Sequence, residues 1–404
     1  MGEVIASYRI DADDIKVAAR AIAMEQSTGT WTEVSTATQE IHEKYGARVV
    51  EVDEESGIAK IAFPVEDFSL EIGGIPNILS IIAGNLFGLR EVRAVRLLDV
   101  EFPREIVTFF KGPNFGIEGV RKLVGTTQTR RPHVGTIIKP KIGLPPERFA
   151  EVAYEAAVGG LDFIKDDETL ANQNFCPLED RVSRTMEALD RAREETGKTC
   201  LYAVNVTSED IVETAQLAVD NGANCLMIDV LTCGFPGLSA LNRNFKLPIH
   251  VHRTMHGAMT RMKNHGIAML VFARLVRMAG GDQLHVGCAM GKMESEDIQT
   301  NYNALRSEWY GLKPVFPVCS GGVHPGYVEG NVRAGGTDII IQAGGGVHGH
   351  PLGTRAGARA MMQAVEAVMK GIPLEEYARE HEELRIALEK WGTQQITRYY
   401  SEEM

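Results

Sequence analysis

The chain has 404 residues, 44% hydrophobic and 24% charged, so it can bury a large core and is long enough for two domains. Its 42 basic and 54 acidic residues give a net charge of -12, which opposes nonspecific association with nucleic acid or anionic lipid. No apolar run reaches the roughly 18 residues of a membrane span, and the N-terminus "MGEVIASYRIDADD" lacks a secretory signal, so we expect a cytoplasmic protein.

The first part of the chain predicts a small α+β domain of the ferredoxin-like kind. Four stretches look like strands of an antiparallel sheet: "SYRI", "TWTEVS", "ARVVEVDEESGIAKIAFPVE" and "VRAVRLLDVEFP". Two others read as its helices, "DIKVAARAIAMEQS" and "IPNILSIIAGNLFG". The charged segment "RKLVGTTQTRRPH" is the expected junction, which places the domains at 1–125 and 126–404.

From about Val134 the chain repeats a short apolar run, a polar loop and a longer segment with helical spacing. The runs are "VGTIIKPK", "GLDFIKDD", "CLYAVNVT", "CLMIDVLT", "PIHVHRT", "QLHVGC", "VFPVCSGG" and "DIIIQAGGG". Eight such units in about 240 residues match a parallel (β/α)8 TIM barrel in number and size. An open doubly wound sheet is the alternative, but eight consecutive units favour closure.

The cysteines predict buried, reduced thiols. They lie far apart, mostly inside apolar runs, and form no C-x-x-C pair. Disulfides and a cysteine zinc site are therefore disfavoured at the six positions Cys176, Cys200, Cys225, Cys233, Cys288 and Cys319.

Polar residues recur where the predicted barrel strands end, and in such a barrel these ends meet at one mouth. From the first strand to the eighth they are Lys139, Lys141, Lys165, Asp167, Glu168, Asn205, His252, Arg253, His285, Lys292, Ser320, Gly321, Gly322, Gly344, Gly345 and Gly346. Charges scattered over solvated loops would not follow the strands so regularly. We therefore interpret this mouth as an active site.

The stretch "GGLDFIKDDE" predicts a metal site. Period-two alternation puts Lys165 and Asp167 on one face and Asp166 on the other, with Glu168 just past the strand end. Oxygen ligands without cysteine suit Mg²⁺, which keeps open positions for substrate. Because an ammonium cannot ligate a metal, Lys165 belongs to the set only if CO₂ converts its neutral amine into a carbamate.

Other interpretations of these residues stay open. A lysine beside carboxylates could be a plain salt bridge. Lys165 could form a Schiff base, although adjacent carboxylates are expected to keep it protonated. The histidines of "IHVHRTMH" (His250, His252 and His256) could bind zinc, but in amidohydrolases that motif normally precedes the lysine, and His250 is then a core residue lining the barrel.

The glycine-rich ends "CSGGVH" and "QAGGGVHGHP" offer backbone N–H groups near helix starts, where barrels of this class often hold phosphate. Each alone is an ordinary turn. Together with His285 and Arg253 they suggest two phosphate sites, and a bisphosphate substrate explains the demand for cations.

These motifs, in this order, resemble the large subunit of ribulose-1,5-bisphosphate carboxylase/oxygenase (RuBisCO) over nearly the whole chain. "GGLDFIKDDE" resembles the family's carbamylated-lysine motif, "TIIKPKIGL" its catalytic-lysine motif, "HVHRTMH" its histidine and arginine motif and "GKMESE" its mobile loop 6. "SGG" and "GGG" resemble its phosphate loops, and "EQSTGTWTEV" and "GNLFG" the segments that complete a neighbouring subunit's site. The short chain is most similar to the archaeal-type form III enzymes.

The resemblance implies Mg²⁺ on carbamylated Lys165, Asp167 and Glu168, with proton handling by Lys139, which Lys141 orients, and by His252. Lys292 would stabilise the carboxylate formed on CO₂ addition. Phosphates and hydroxyls would be held by Arg253, His285, Ser320, Gly321, Gly322, Gly344 and Gly345, and from the partner protomer by Glu25, Thr30, Trp31 and Asn85. From the residues alone, Trp31 would be core and Glu25 a solvated helix end.

The implied reaction is carboxylation of ribulose 1,5-bisphosphate to two 3-phosphoglycerates, with an oxygenase side reaction. The carbamate would remove the C3 proton to give an enediolate, which attacks CO₂. A homodimer without nucleic acid, membrane or small subunit is expected. Alternatives are a RuBisCO-like enolase, tautomerase, decarboxylase or transcarboxylase acting on another sugar phosphate, and an inactive binding or assembly barrel, but the presence of Lys292 favours the carboxylase.

Some positions depart from the family pattern. Ile137 stands where many members have threonine, and Ser295 replaces a usual glycine of loop 6. The segment between Lys292 and Ser320 is shorter than in plant enzymes, and the tail "TQQITRYYSEEM" lacks their long extension over loop 6. We expect weaker loop closure and lower discrimination between CO₂ and O₂.

Overall fold

A computed structural model describes residues 2–293 and 297–396, so that Ser295 lies outside the described residues. Within them, every helix is too short or too polar to cross a lipid bilayer. The chain forms two compact units. We call them the sheet unit (Met1–Gly112, Met255–Ala279 and Glu308–Leu312) and the barrel unit (Pro113–Thr254, Gly280–Ser307 and Lys313–Met404).

The strands are β1 (Glu3–Asp11), β2 (Arg48–Asp53), β3 (Ile58–Pro64), β4 (Ala94–Glu101), β5 (His133–Ile137), β6 (Phe163–Lys165), β7 (Leu201–Asn205), β8 (Cys225–Asp229), β9 (Ile249–His252), β10 (Gly266–Ile267), β11 (Gln283–His285), β12 (Phe316–Cys319) and β13 (Ile340–Gln342). The helices are α1 (Ile15–Glu25), α2 (Gln39–Tyr45), α3 (Gly74–Ile82), α4 (Arg104–Phe109), α5 (Gly116–Val124), α6 (Pro146–Val158), α7 (Leu178–Thr196), α8 (Ile211–Asp220), α9 (Val230–Cys233), α10 (Phe235–Asn244), α11 (Gly257–Thr260), α12 (Met269–Ala279), α13 (Ile298–Arg306), α14 (Val328–Gly335), α15 (Gly345–His348), α16 (Thr354–Lys370), α17 (Leu374–Tyr377) and α18 (Glu382–Trp391). Short 3₁₀ turns span Val65–Asp67, Asn85–Gly88 and Pro325–Tyr327.

The sheet unit is built on a five-stranded sheet in the order β10-β4-β1-β3-β2. The central strand β1 pairs antiparallel with β3 and β4, and every second side chain from Val4 to Ile10 is buried. Within this buried row the Tyr8 hydroxyl donates a hydrogen bond of 2.6 Å to the Ile82 carbonyl of α3. The predicted α+β domain is confirmed, with α1 and α3 at the predicted places.

Two details of that unit differ from the sequence prediction. "TWTEVS" is not a strand; it lies in turns and irregular chain, since β2 and not this segment pairs with the outer side of β3. The sheet is also not wholly antiparallel, because β10 pairs parallel with β4. That pairing was not predictable from local pattern, since Gly266 and Arg96 lie far apart in the sequence.

The barrel unit contains the predicted closed barrel. Its eight strands follow the order β11-β12-β13-β5-β6-β7-β8-β9, and each pair between them is parallel. All eight predicted strands are confirmed. The strands are only three to five residues long, and those from β5 to β8 are almost wholly buried, as is typical of parallel strands covered by helices.

The amino-terminal end of the barrel is closed by apolar packing. Ile117 and Val120 of α5 pack in one cluster with the first residues of β6, β7 and β12, namely Phe163, Leu201 and Phe316. The opposite, carboxyl end of the strands is therefore the end left for chemistry.

The cysteines are free, as predicted, and only Cys233 is partly exposed. Burial raises the pKa of Cys288 to about 11 and that of Cys319 to about 12. Both side chains are therefore uncharged thiols at neutral pH.

A buried histidine near the closed end of the barrel predicts acid sensitivity. His133 is 1% exposed, its Nε2 lies 2.6 Å from Thr126 Oγ1, and burial lowers its pKa to about 4. An unfolded histidine titrates near pH ~6.5, so the stabilising effect of the neutral ring is complete above that pH and is lost as pH falls toward 4. We expect this one ring to lower the free energy of unfolding by about 1.4 kcal/mol per pH unit in that window.

Urea unfolding at pH 7, 6 and 5 measures this effect. His133→Gln, which keeps a hydrogen-bonding group near Thr126, should show a shallower fall in stability than the parent chain. Equal slopes in the two proteins would show that His133 does not take up a proton on unfolding.

Candidate active site

The polar residues predicted at the barrel mouth all follow the carboxyl ends of the strands. Lys165 ends β6, Asn205 ends β7, His252 ends β9 and His285 ends β11. The others lie in the segments just after a strand: Lys139, Lys141, Asp167, Glu168, Arg253, Lys292, Ser320, Gly321, Gly322, Gly344 and Gly345.

Two lysines and two carboxylates meet after β5 and β6. The Lys165 side chain is 1% exposed, and its Nζ lies 3.6 Å from Glu168 Oε2. It also donates a hydrogen bond of 2.8 Å to the Asp166 carbonyl. Lys139 Nζ donates a hydrogen bond of 2.7 Å to Asp167 Oδ2. The carboxylates and lysine of "IKDDE" therefore lie close to the first lysine of "KPK" in the structure.

Burial controls the protonation of this cluster. It lowers the pKa of Lys165, against the opposing effect of Glu168 and Asp167. Burial by itself would raise the pKa of Asp167, but its hydrogen bond with the Lys139 ammonium reverses the direction and lowers it. Desolvation of the ammonium therefore outweighs the neighbouring carboxylates, which by themselves would raise the pKa of Lys165. A neutral amine is the form that reacts with CO₂.

The donor set fits a hard cation once Lys165 is modified. Among the described residues no group of three or more histidine, cysteine, aspartate or glutamate side chains is arranged to hold a metal. Asp167 and Glu168 supply two carboxylates beside Lys165, and a carbamate on that lysine would supply a third oxygen ligand. Carboxylate-type oxygens are the ligands that Mg²⁺ prefers.

The zinc interpretation of the histidine motif does not fit the geometry. His250 Nδ1 lies 2.7 Å from Gln283 Oε1, and its Nε2 lies 2.8 Å from His285 Nε2. Both ring nitrogens of His250 are thus engaged by neighbouring side chains.

A second layer of side chains behind the carboxylates holds them in place. Asp166 points away from the mouth, as the alternation predicted, and accepts a hydrogen bond of 2.6 Å from the Tyr202 hydroxyl and one of 3.2 Å from Arg181. Asp166 also accepts a hydrogen bond of 2.9 Å from the backbone N–H of Asn205. The Asn205 side chain in turn donates a hydrogen bond of 3.2 Å to the Glu168 carbonyl. The sequence reasoning missed Arg181 and Tyr202, which stand alone in helical and apolar segments.

His252 is oriented by an aspartate that the sequence reasoning also missed. Its Nδ1 lies 2.6 Å from Asp229 Oδ1, while its Nε2 lies 3.7 Å from Glu168 Oε2. Because an ionised carboxylate only accepts, Nδ1 carries a proton in this contact, and Nε2 is the ring nitrogen that faces the metal-site carboxylates. The signal was present, since Asp229 ends β8 as the other site residues end their strands.

Loop 6, which follows β11, contacts the glycines that follow β12. The Lys292 backbone N–H donates 2.7 Å to the Gly321 carbonyl. A Cβ on Gly322 would approach Lys292 Cβ to 2.6 Å, and Gly322 has a φ of +72°, so glycine is required there on both counts. The loops after β11 and β12 therefore form one wall of the mouth, with Lys292 exposed on it.

The turn after β13 lies against the turn after β5. A Cβ on Gly344 would come within 3.1 Å of Lys139 Cε. His348 at the end of α15 has its Nε2 2.9 Å from Thr136 Oγ1 and 3.0 Å from the Ile137 carbonyl. His348, another residue the sequence reasoning missed, thus joins these two turns through the strand that leads to Lys139.

Two family models match this chain in succession. Residues 1–106 match the N-terminal domain of the ribulose bisphosphate carboxylase large chain, and residues 116–391 match its catalytic domain. The chain belongs to the ribulose bisphosphate carboxylase large chain family.

Two archaeal curated relatives are similar to this chain over almost their whole length. The chain is 45% identical to ribulose bisphosphate carboxylase of Methanocaldococcus jannaschii, covering 96% of this chain and 97% of that protein. It is 41% identical to that of Methanosarcina mazei, covering 93% and 92%. The predicted membership of RuBisCO, with archaeal relatives, is confirmed.

Solved RuBisCO structures have the same fold. The octameric enzyme of Pyrococcus horikoshii, solved as a sulfate complex, superposes with a TM-score of 0.91 at 38% identity, covering 98% of this chain and 94% of that one. The dimeric enzyme of Hyperthermus butylicus gives a TM-score of 0.88 at 43% identity, covering 97% and 96%. The first of these neighbours is an octamer and the second a dimer, which supports self-association.

The RuBisCO residues predicted to serve a neighbouring protomer lie together in the sheet unit. Glu25 ends α1, and Asn85 Nδ2 donates to its Oε1 at 3.4 Å. Gln26 fixes that turn through two hydrogen bonds. Its Nε2 donates one of 2.6 Å to the Ile81 carbonyl, and its Oε1 accepts one of 3.2 Å from the Leu86 N–H. The polar pair is thus presented by a braced turn.

Thr30 and Trp31 follow α1 in irregular chain. The interpretation of Trp31 as a core residue is wrong, because its side chain is 92% exposed. An exposed indole of this size is unfavourable in water and is a common feature of interfaces. Its exposure agrees with the role that the RuBisCO resemblance implies.

The carboxyl-terminal segment of this RuBisCO chain contacts loop 6. Gln395 Nε2 donates a hydrogen bond of 2.8 Å to the Gly291 carbonyl, and its Oε1 accepts one of 3.1 Å from the Gly291 N–H. Gln395 therefore holds the residue before Lys292, while residues 397–404 of the tail lie outside the described residues. The predicted loss of gas discrimination stays a prediction.

Proposed function

We propose that this chain carboxylates ribulose 1,5-bisphosphate to two molecules of 3-phosphoglycerate through an enediolate, with oxygenation as a side reaction. The observation that carries the proposal is the buried Lys165 between Asp167 and Glu168, facing a mouth that also bears Lys292 on loop 6. Relatives named ribulose bisphosphate carboxylase at 38–45% identity support the same conclusion.

The proposal assigns Mg²⁺ to Asp167, Glu168 and Lys165 as its CO₂ carbamate. When bound, Mg²⁺ supplies Lewis-acid polarisation of the substrate carbonyl and neutralises developing negative charge. Burial lowers the pKa of Lys165 and so increases the fraction of the amine that CO₂ modifies, and the Asp166 layer keeps the neighbouring carboxylates in position.

Proton handling falls to His252 and Lys139 in this proposal. Asp229 holds His252 so that its Nε2 receives or returns a proton at the substrate. Lys139 is 36% exposed at the mouth and donates to Asp167, so its ammonium lies where it can protonate a developing carbanion. Lys141, exposed in the same loop, is assigned the orientation of Lys139.

The substrate's charged ends require cations and N–H donors around the mouth. We assign the phosphates and hydroxyls to Arg253, His285, Ser320, Gly321, Gly322, Gly344 and Gly345. Lys292 then stands beside the carbon that accepts CO₂, where its charge stabilises the new carboxylate.

Self-association completes the site in this proposal. Glu25, Thr30, Trp31 and Asn85 would contact substrate in the neighbouring protomer of a homodimer or a multiple of dimers, without a small subunit. The exposed Trp31 and the braced Glu25–Asn85 turn support this assignment. The proposal includes a cytoplasmic location, with which the free cysteines agree.

Incorporation of labelled CO₂ tests the proposal. Enzyme preincubated with labelled bicarbonate and Mg²⁺ receives ribulose 1,5-bisphosphate under nitrogen, and the acid-stable product is identified by chromatography. We expect label in 3-phosphoglycerate, and none when Mg²⁺ is replaced by a chelator. If folded, Mg²⁺-loaded protein gave no labelled product, the carboxylase proposal would fail and the chain would be assigned to the RuBisCO-like enzymes.

A further inference from the structure

Four side chains form one continuous line of hydrogen bonds from the barrel interior to the mouth. Ser320 Oγ lies 2.7 Å from His285 Nδ1, and His285 Nε2 lies 2.8 Å from His250 Nε2. His250 Nδ1 lies 2.7 Å from Gln283 Oε1, which ends the line. Gln283 and His250 are fully buried and His285 is 3% exposed, so water does not interrupt the chain.

The two imidazoles must share protons in a fixed way. Burial lowers the pKa of both His250 and His285 well below the usual range, so each ring is neutral and carries one N–H. Two Nε2 atoms at 2.8 Å form a hydrogen bond only if one donates and the other accepts. The protons along the line therefore all point the same way.

Only two arrangements satisfy this rule. In the inward one, Ser320 O–H donates to His285 Nδ1, His285 Nε2–H donates to His250, and His250 Nδ1–H donates to the Gln283 carbonyl oxygen. In the outward one every donor is reversed: the Gln283 amide turns over and donates, and His285 Nδ1–H donates to Ser320 Oγ. The Ser320 hydroxyl proton is then free to donate into the mouth.

Gln283 is suited to end such a line because its side chain can either accept or donate. In the inward arrangement its Nε2 is buried and finds no hydrogen-bond partner among the described residues. Turning the amide over uses that donor and leaves only a carbonyl oxygen unpaired. Each arrangement therefore leaves one donor without an acceptor in the line, the Gln283 amide in the inward one and the Ser320 hydroxyl in the outward one, so their free energies lie close together.

We propose that His250 and Gln283 are positioning residues of a tautomer switch that sets whether Ser320 accepts or donates at the substrate site. An anionic group at Ser320 needs a donor, so its binding selects the outward arrangement, while the empty site keeps the inward one. His285, whose two nitrogens are both engaged, then acts on the anion through Ser320. The inference deepens the proposed function, since it rests on Ser320 facing a phosphate of the substrate.

Nitrogen-15 magic-angle-spinning NMR of histidine-labelled enzyme tests the switch, with inorganic phosphate as the probe. His250→Phe identifies the signals of the pair, and His133→Gln serves as the control for a buried histidine away from the mouth. We expect saturating phosphate to change the ratio of the two His285 tautomers by about tenfold, the ratio that a difference near 1.4 kcal/mol produces. The His133 signal should not move.

Gln283→Met removes the group that accepts the His250 Nδ1–H. Leaving a lone pair unpaired costs less than leaving an N–H unpaired, so the variant should hold the outward arrangement with or without phosphate. His250→Phe should fix the His285 tautomer in the same way, which keeps the test available should one variant not fold. A simple packing defect would weaken binding without abolishing the tautomer change.

The outcomes separate this inference from the proposed function. Unmoved histidine signals in wild-type enzyme that binds phosphate, or a switch that persists in Gln283→Met, would overturn the inference even in an active carboxylase. A phosphate-driven switch in a protein that fixes no CO₂ would support the inference and contradict the carboxylase proposal instead.

Discussion

Lys165→Met should abolish CO₂ fixation, by on the order of 10³-fold or more, while the fold is retained. Methionine fills nearly the volume of the buried lysine stem but has no amine for CO₂ to modify, so the cation site keeps only Asp167 and Glu168. Removing a buried amine also removes its desolvation cost, so we expect little loss of stability. Labelled CO₂ incorporation measures the activity, and urea unfolding measures the fold.

Lys198→Met is the matched control, because Lys198 is exposed before β7, at the opposite end of the barrel from the mouth. Carbon-13 NMR with labelled bicarbonate adds a direct measurement. A carbamate signal should appear in the wild type and the control and be missing from Lys165→Met. Normal turnover in Lys165→Met would refute the assignment of the metal site.

The barrel and its mouth were predictable because their signals are local. Buried parallel strands are continuous apolar runs in the sequence, so all eight barrel strands could be predicted from it. Alternation then assigned Lys165 and Asp167 to one face and Asp166 to the other, and the hydrogen bonds of Asp166 with Tyr202 and Arg181 bear this out.

The partners of the site residues were not predictable, because they depend on which strands are neighbours in space. Asp229 and His252 lie opposite each other only through the β8–β9 pairing. The line from Gln283 through His250 to His285 likewise follows from the β9–β11 pairing, and sequence pattern had left His250 as a core residue. The spacing of apolar residues identifies a strand, but it does not show which side chain lies opposite on the neighbouring strand.

The protonation and solvent exposure of side chains were the properties that the sequence predicted least well. The sequence shows carboxylates beside Lys165 but not the burial that lowers its pKa. Trp31 was assigned to a core by its residue type, whereas its surroundings leave it exposed. Both properties depend on burial, which follows from packing that no local pattern specifies.

Lys292→Ala should separate the two halves of the proposed reaction. The Lys292 ammonium rises from the loop anchored on Gly321 and Gly322, where it can stabilise a carboxylate that forms only when CO₂ adds. Proton removal from C3 precedes that charge, and the groups proposed for it lie around β5, β6 and β9. We expect carboxylation to fall on the order of 10³-fold while enolisation continues.

Exchange of the C3 proton of ribulose 1,5-bisphosphate with deuterated solvent measures enolisation without CO₂, and labelled CO₂ incorporation measures the second half. Met293→Ala is the matched control, because Met293 is the next residue of the same loop, is 51% exposed and carries no charge. It should retain both activities, which excludes a general effect of altering the loop. If Lys292→Ala lost C3 exchange together with carboxylation, the lysine would have to act before CO₂ adds, on the substrate or its enediolate.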